Sequence, residues 1–346
     1  PPAVPLRGRQ GFADKFPDRF AVRSLFSGRL AGEFFFVTFR PLNRQIMITK
    51  LDQIVRAVQG RGRKKLAVAY AQDSHTLEAV NAATDMGIVE AILIGDREQI
   101  VKVCMADGID PEKFSIVDEK NDAVCVETAV RMIRDSMADV LMKGLVSTDK
   151  YMRGILNKDF GLLPPKGVLS HVAVLELPMY HKLLLVSDVA VIPYPDMNQK
   201  IRIAKYLIGT SRTLGIRAPK LAVIAPSEQM LPGIQSSVDA AILAKMGDRG
   251  QLGDALVDGP LAVDVALVRE AAETKRLTSS VAGDADCLLF PNLDAANAFF
   301  KAATKLCGAR LAGMVVGTRC PCVLTSRGDS PESKLYSIAL AALSAD

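Results

Sequence analysis

From Lys65 onward the chain alternates short β-rich runs with helical stretches, and no other feature restricts its fold so strongly. Residues 66–70 read as a strand, followed by a helix over about 74–86. A run at 91–95 precedes a helix over 97–106. Residues 114–117 precede a helix near 124–137, and 139–144 read as a buried strand. Repeated strand–helix–strand units predict a parallel sheet with helices on both faces. Residues 161–167, with Pro164 and Pro165 between glycines, break this rhythm and read as a domain junction. Two strand-like runs follow, 168–177 and 182–191. A short turn at Met179-Tyr180 separates them and predicts an antiparallel element. Alternation then resumes with a helix near 198–214, a strand at 221–225 and a helix near 238–246. It continues with a strand at 287–290, a helix near 295–306, strands at 314–317 and 322–325, and a last helix.

Hydrophobic residues make up 49% of the 346, enough for one large or two medium cores. Net charge is +5, but its location matters more. Residues 1–46 hold eight of the 43 basic residues and three of the 38 acidic ones, leaving 35 of each in the remainder. A neutral body gives no electrostatic case for nucleic acid or membrane partners. Residues 1–46 also hold eight of the thirteen Phe and lack clear periodicity over most of their length. They read as an appendage ahead of Met47. A targeting peptide is the alternative, and it fits poorly because the apolar part is short and far from the first residue. The six cysteines show no disulfide framework and point to a reducing cytoplasm. Cys320-Pro321-Cys322 has neither a nearby His nor a second Cys pair, so packing is favoured over a metal or redox pair.

Several chemistries lack their signatures. Gly60-Arg61-Gly62 misses the third glycine of a dinucleotide fingerprint and precedes a strand instead of following one. No phosphate-binding Walker loop, zinc-protease helix or hydrolase elbow is present. His75, His171 and His181 are too far apart to suggest a metal set.

Two strand-to-helix turns could hold an anion. The first is Thr325-Ser326-Arg327-Gly328-Asp329-Ser330-Pro331-Glu332, with Asp329 where an N-cap belongs and Pro331 and Glu332 in the first turn. The second is Lys143-Gly144-Leu145-Val146-Ser147-Thr148-Asp149, with Arg153 about one turn further on. Helix starts offer unpaired N–H groups to anions, and hydroxyls and guanidinium add donors. Each turn alone reads first as an ordinary capped helix with a surface arginine. Ser170-His171 lies inside an apolar strand and reads as a hydrogen-bonded structural pair or as a ligand pair. Asp188 reads as a cap or a site carboxylate. Asp258-Gly259-Pro260-Leu261 reads first as a turn.

Taken in order, these segments resemble the phosphate acetyl/butyryltransferase family, the butyryl branch more closely. The resemblance rests on Met142-Lys143-Gly144-Leu145-Val146-Ser147-Thr148 with Arg153, and on Leu169-Ser170-His171-Val172. It continues with Val257-Asp258-Gly259-Pro260, Val281-Ala282-Gly283-Asp284, Pro291-Asn292 with Ala296-Asn297, and Leu324 through Ser330. It covers the chain from about Met47 to its end. The resemblance implies reversible transfer of a short acyl group, butyryl favoured, between CoA and inorganic phosphate. It implies a two-domain α/β fold like that of isocitrate and isopropylmalate dehydrogenases, with parallel-rich sheets and an interdomain cleft. Domain I would comprise 47–162 plus 319–346, and domain II 163–318. Homodimers with neither metal nor organic cofactor are also implied.

By the same resemblance Arg327 and Arg153 hold phosphate and the oxyanion, with Ser326 and either Ser147 or Thr148 orienting them. Ser170, His171, Gly328, Asp329 and Ser330 complete the substrate contacts. Two positions depart from the family. Acetyl-branch members carry Ser-Arg-Gly-x-Ser-x-Glu-Asp, whose final Asp is their proposed base, and here that position is Ser333. Asp329, Glu332 and the substrate phosphate are the candidates to replace it. Leu231-Pro232-Gly233 stands where butyryl-branch members tend to have Asn-Pro-Lys. Competing readings are an acetyl-specific enzyme and a non-catalytic acyl-CoA-binding relative. A nicotinamide-dependent dehydrogenase would need an Asp cluster for a divalent metal, and none has convincing spacing.

Overall fold

A computed structural model of the chain describes residues 47–326 and 328–345. The expected appendage at 1–46, and Arg327, lie outside the described residues. The chain divides into two units, Pro1–Arg44 and Gln45–Asp346, and the second carries every described element.

In chain order the elements begin α1 (Leu51–Val58), β1 (Lys64–Ala69), α2 (Ser74–Asp85), β2 (Val89–Gly95) and α3 (Arg97–Ala106). Next come β3 (Ser115–Asp118), α4 (Asp122–Arg134), β4 (Val140–Lys143) and α5 (Thr148–Ile155). Beyond the double-proline break lie β5 (Ser170–Glu176), β6 (Leu184–Ser187), α6 (Met197–Thr213), β7 (Lys220–Ile224) and α7 (Gln235–Asp248). Then follow β8 (Leu256–Leu261), α8 (Val263–Leu267), α9 (Arg269–Thr274), β9 (Cys287–Leu289) and α10 (Leu293–Lys305). β10 (Arg310–Val316), β11 (Cys322–Val323) and α11 (Pro331–Ser344) end the fold.

Among the described residues eleven strands form one sheet in the order β3-β2-β1-β4-β11-β10-β5-β6-β9-β7-β8. The run β3 to β11 is parallel, and so is the run β6 to β8. The antiparallel strands β10 and β5 join them, paired from Arg310–Glu176 to Val316–Ser170. The hairpin read at 168–191 is the β5–β6 pair.

Local chemistry sets the helix starts. Asp73, Asp96, Asn121, Ser147 and Asn292 each accept a first-turn N–H as N-cap, and Asp196 and Gln199 close a capping box. The cap of α11 is Ser330, which accepts from the Ser333 N–H, and not Asp329 as the residue pattern suggests. Asp329 turns its carboxylate back to the Ser326 N–H at 2.7 Å. Asp258-Gly259-Pro260-Leu261 is also not a turn: it forms the second half of β8, with a register irregularity against β7.

Strand alternation builds three apolar clusters. One face of the sheet is covered along its length by α1, α2, α11, α6 and α7, packed on Leu66, Val68, Val140, Val172, Val174, Leu221 and Met314. The opposite face has two separate clusters. Under α4 and α5 lie Ala67, Ala69, Leu141 and Cys322, while α8, α9 and α10 cover Ala173, Leu175, Leu184, Val186 and Leu288. Among the described residues no helix is long and apolar enough to cross a membrane.

Candidate active site

The break between those two clusters is a cavity of about 540 Å³. Its floor is the open face of the central antiparallel strands, from which His171 and Ala173 of β5 and Leu311 and Gly313 of β10 line it. One wall is Lys143 with the start of α5, namely Val146, Ser147 and Thr148; the opposite wall includes Asn297, Phe300 and Lys301 of α10. The Thr325–Ser326 turn and Asp329 complete the rim.

Backbone placement explains each wall. Lys143 ends β4 and is only 3% exposed, with its Nζ donating to the Gly144 carbonyl at 3.1 Å. Gly144 lets two chain segments nearly touch: a Cβ there would lie 2.4 Å from the Tyr70 carbonyl oxygen. Ser147 caps α5, accepting the Lys150 N–H at 3.3 Å, so the start of that helix faces the cavity. Thr325 and Ser326 are anchored from below by Lys334 of α11. Its buried Nζ donates to Thr325 Oγ1 at 3.1 Å and to the Ser326 carbonyl at 3.2 Å. Burial pushes the Lys334 ammonium below its ordinary pKa, opposed by the charges of Asp73 and Asp329.

Ser170 does not line the cavity. Its hydroxyl is fully buried and donates to Asp188 Oδ2 at 3.0 Å, next to Ser187. The Asp188 carboxylate also accepts from the N–H groups of Ala190, Val191 and Ile192. The pair therefore divides: Ser170 is a structural partner and His171 faces the cavity. Burial holds the His171 imidazole below its ordinary pKa, with the Asp188 and Asp329 charges opposing.

The sequence-derived set thus divides. Ser147, Thr148, His171, Ser326 and Asp329 share the cavity. Ser170, Gly328 and Ser330 lie beside it, off its lining. Arg153 projects from α5 with a side chain 77% exposed, and its guanidinium pairs with Asp149 at 3.0 Å. Of the base candidates, Glu332 is drawn to Arg310 at 3.3 Å and to the Tyr336 hydroxyl at 3.0 Å. Ser333 bonds within the first turn of α11. Lys143 stands in the turn read from the residues but has no role assigned there, and Lys301 and Lys334 escaped that reading. For Lys334 a signal existed, because it falls in register with Ile338 and Ala341 on the apolar face of α11. Among the described residues no group of three or more His, Cys, Asp or Glu side chains could hold a metal ion. A larger cavity, about 810 Å³, lies at the starts of α6, α7 and α10 around a buried Lys200–Asp239 pair and is lined by Pro291 and Asn292, but by none of the residues given a site role from the sequence.

The family model "Phosphate acetyl/butaryl transferase" matches residues 49–130 and 123–342. The chain belongs to this family. A phosphate butyryltransferase from Clostridium acetobutylicum is 44% identical over 297 residues, covering 86% of this chain and 98% of that protein. A phosphate acetyltransferase from Thermotoga maritima is 36% identical, covering 85% and 99%. Among solved structures, a branched-chain phosphotransacylase from Enterococcus faecalis superposes with a TM-score of 0.73 at 30% identity, covering 81% of this chain and 98% of that one.

Proposed function

We propose that this protein catalyses acyl-CoA + phosphate ⇌ acyl phosphate + CoA, with a short acyl group of about butyryl size. One observation carries the reading beyond family membership. A single cavity brings together a buried lysine, a helix start with hydroxyls, a serine-bearing turn and an apolar wall. Phosphate sits against Lys143, Ser147 and Thr148, where cationic and N–H donors converge. Its oxygen attacks the thioester carbon, and the carbonyl oxygen gains the negative charge. The Ser326 turn and Arg327 supply donors to that oxyanion. Collapse breaks the C–S bond and releases CoA. Val146, Ala173, Val189, Phe300, Leu311 and Leu324 offer the acyl chain an apolar lining. Arg153 joins the phosphate site only after leaving Asp149.

On the same reading we propose the two domains, 47–162 with 319–346 and 163–318, meeting across an interdomain cleft as in isocitrate dehydrogenase. The strand order supports this: β1 to β4 and β11 occupy one side of the sheet, and β5 to β10 the other. A homodimer needing neither metal nor organic cofactor, working in the cytoplasm, completes the proposal. The six unpaired cysteines support that compartment.

The test is phosphate-dependent CoA release across acetyl-, propionyl-, butyryl- and valeryl-CoA. Maximal kcat/KM at butyryl supports the assignment, and a maximum at acetyl makes the protein an acetyltransferase. Thioester binding with no phosphate-dependent release makes it a binding protein and refutes the proposal.

A further inference from the structure

The reaction needs a carrier for the thiol proton, and Ser333 stands at the position of the acetyl-branch aspartate. Ser333 and Glu332 are both engaged away from the cavity, as described. Among the described lining residues the ionisable side chains are Lys143, His171, Lys301 and Asp329. The Asp329 carboxylate is taken up by the Ser326 N–H. Lysines at this rim serve charge better than proton shuttling, which leaves the imidazole.

His171 has the marks of a functional side chain. It is 6% exposed, and its Nδ1 is buried with no hydrogen-bond partner among the described residues. An unpaired buried nitrogen costs folding free energy, so its retention in an apolar strand calls for a reason. The fold also makes room for the ring. A Cβ on Gly313 would sit 2.9 Å from His171 Cε1 and 3.1 Å from Nε2, so the glycine leaves the imidazole its place on the cavity floor.

We infer that His171 carries the proton between the sulfur of CoA and the oxygen of phosphate, an inference that rests on the acyltransferase reading above. When acyl phosphate is consumed, neutral imidazole takes the S–H proton and the sulfur lone pair forms the C–S bond. The C–O bond to phosphate then breaks, and the imidazolium gives its proton to the departing phosphate oxygen. In the other direction imidazole takes the proton of hydrogen phosphate as the C–O bond forms. It then returns that proton to sulfur as the C–S bond breaks. Burial keeps the ring neutral before each transfer. Asp188 after β6 and Asp329 before α11 stabilise the transient imidazolium, while Lys143 of β4, Lys301 of α10 and Lys334 of α11 oppose it.

The experiment compares wild type, His171→Gln and His171→Ala, with and without added imidazole, from pH 5.5 to 9. The glutamine variant should lose on the order of 10²–10⁴-fold in kcat, with KM for phosphate and acyl-CoA little changed. In the acyl-phosphate-consuming direction, wild-type activity should fall only below the usual imidazole range near 6.5, as the lowered pKa requires, and this acid limb should vanish in the variants. Imidazole should restore part of the alanine variant's turnover. Folded variants with kcat within threefold of wild type, or a loss with the acid limb intact and no restoration, would overturn the inference. Should neither variant fold, ring NMR of the wild type decides, since the chain has only three histidines. One imidazole must shift with CoA and stay still with desulfo-CoA; an indifferent His171 ring overturns the assignment. A wild type without phosphate-dependent CoA release refutes the acyltransferase reading itself.

Discussion

Gly313→Ala probes the cavity floor most directly. The new methyl would meet His171 Cε1 at 2.9 Å and Nε2 at 3.1 Å. Ordinary carbon contacts lie at about 3.5–4.0 Å, so the ring must retreat by roughly 0.5–1 Å. Val315 stands opposite it in the β5–β10 ladder, so the ring moves toward the cavity and out of its place on the floor. Overpacking of this kind costs about 1–3 kcal/mol, and removing a strand glycine returns roughly 0.5–1 kcal/mol. The net loss of stability is therefore about 0–2.5 kcal/mol, a melting shift of several degrees at most. Turnover should suffer more, because misplacing a reacting group by 1 Å costs about 100-fold. Calorimetry and CoA-release kinetics measure the two effects. The decisive comparison repeats the substitution in a His171→Ala background, where the clash is gone and Gly313→Ala should cost almost nothing. Equal losses in both backgrounds, or full turnover in the single variant, would refute the placement of the ring.

Four further substitutions test other parts of the fold and site. Lys334→Met should change stability by less than about 1 kcal/mol, since a desolvated ammonium is lost along with its two bonds; KM for phosphate should still rise about tenfold as the Thr325–Ser326 turn loosens, read by steady-state kinetics. Arg153→Ala should leave the melting temperature unchanged, and a phosphate KM that also stays unchanged would remove Arg153 from the site. Gly144→Ala should destabilise by roughly 3 kcal/mol or more in urea, because its methyl meets backbone at Tyr70 and Ala69 and no flexible side chain can yield. For Asp284, burial raises the pKa but bonds and charges from Lys220 and Lys182 outweigh it, holding the carboxyl at about 2. Its stabilisation is thus present above the ordinary carboxylate range and lost as pH falls toward 2. The stability gap between wild type and Asp284→Asn should accordingly close between pH 4 and 2 in acid titrations.

Elements with a clear apolar run or period were legible in the residues, even β9 and β11 at three and two residues, and the shortest helices were not. The strands at 66–70, 91–95 and 139–144 stand out because they are buried on both faces and read as continuous apolar runs. By contrast α8 and α9 have five and six residues, with no side-chain cap bond at either start. β8 was hidden because Gly259 and Pro260, turn residues by propensity, sit inside a strand held by its neighbour β7. That the two parallel runs share one sheet depends on the β10–β5 ladder, whose partners are some 140 residues apart, as in Val315 with His171. The site was half legible. Hydroxyls at helix starts announce themselves through capping chemistry, which is local. Lys143 and Lys334 gain their position from tertiary burial, which is not. Asp329 was given the wrong partner because Asp and Ser are equally good caps, and only the turn geometry decides between Asp329 and Ser330.

The location of the cavity follows from connectivity more than from any one residue. A parallel strand pair needs a crossover, and each crossover helix lays cover on a face of the sheet. The chain changes this habit at the centre, where residues 177–183 link β5 to β6 and residues 317–321 link β10 to β11 without a helix. Helix α11, which follows β11, packs on the already covered face. On the other face α5 packs on the β4 side and α10 over Ala173 and Leu175 of β5, and the two helices stand apart where His171 and Gly313 line the opening. Strand alternation then decides what the opening exposes: His171 and Ala173 from one strand, Leu311 and Gly313 from the other, while Val172, Val174, Ala312 and Met314 point into the opposite core. A one-residue slip of β5 would exchange the imidazole for an apolar floor. The seven-residue β5–β10 ladder that prevents this slip is thus as much a part of the site as the side chains that line it.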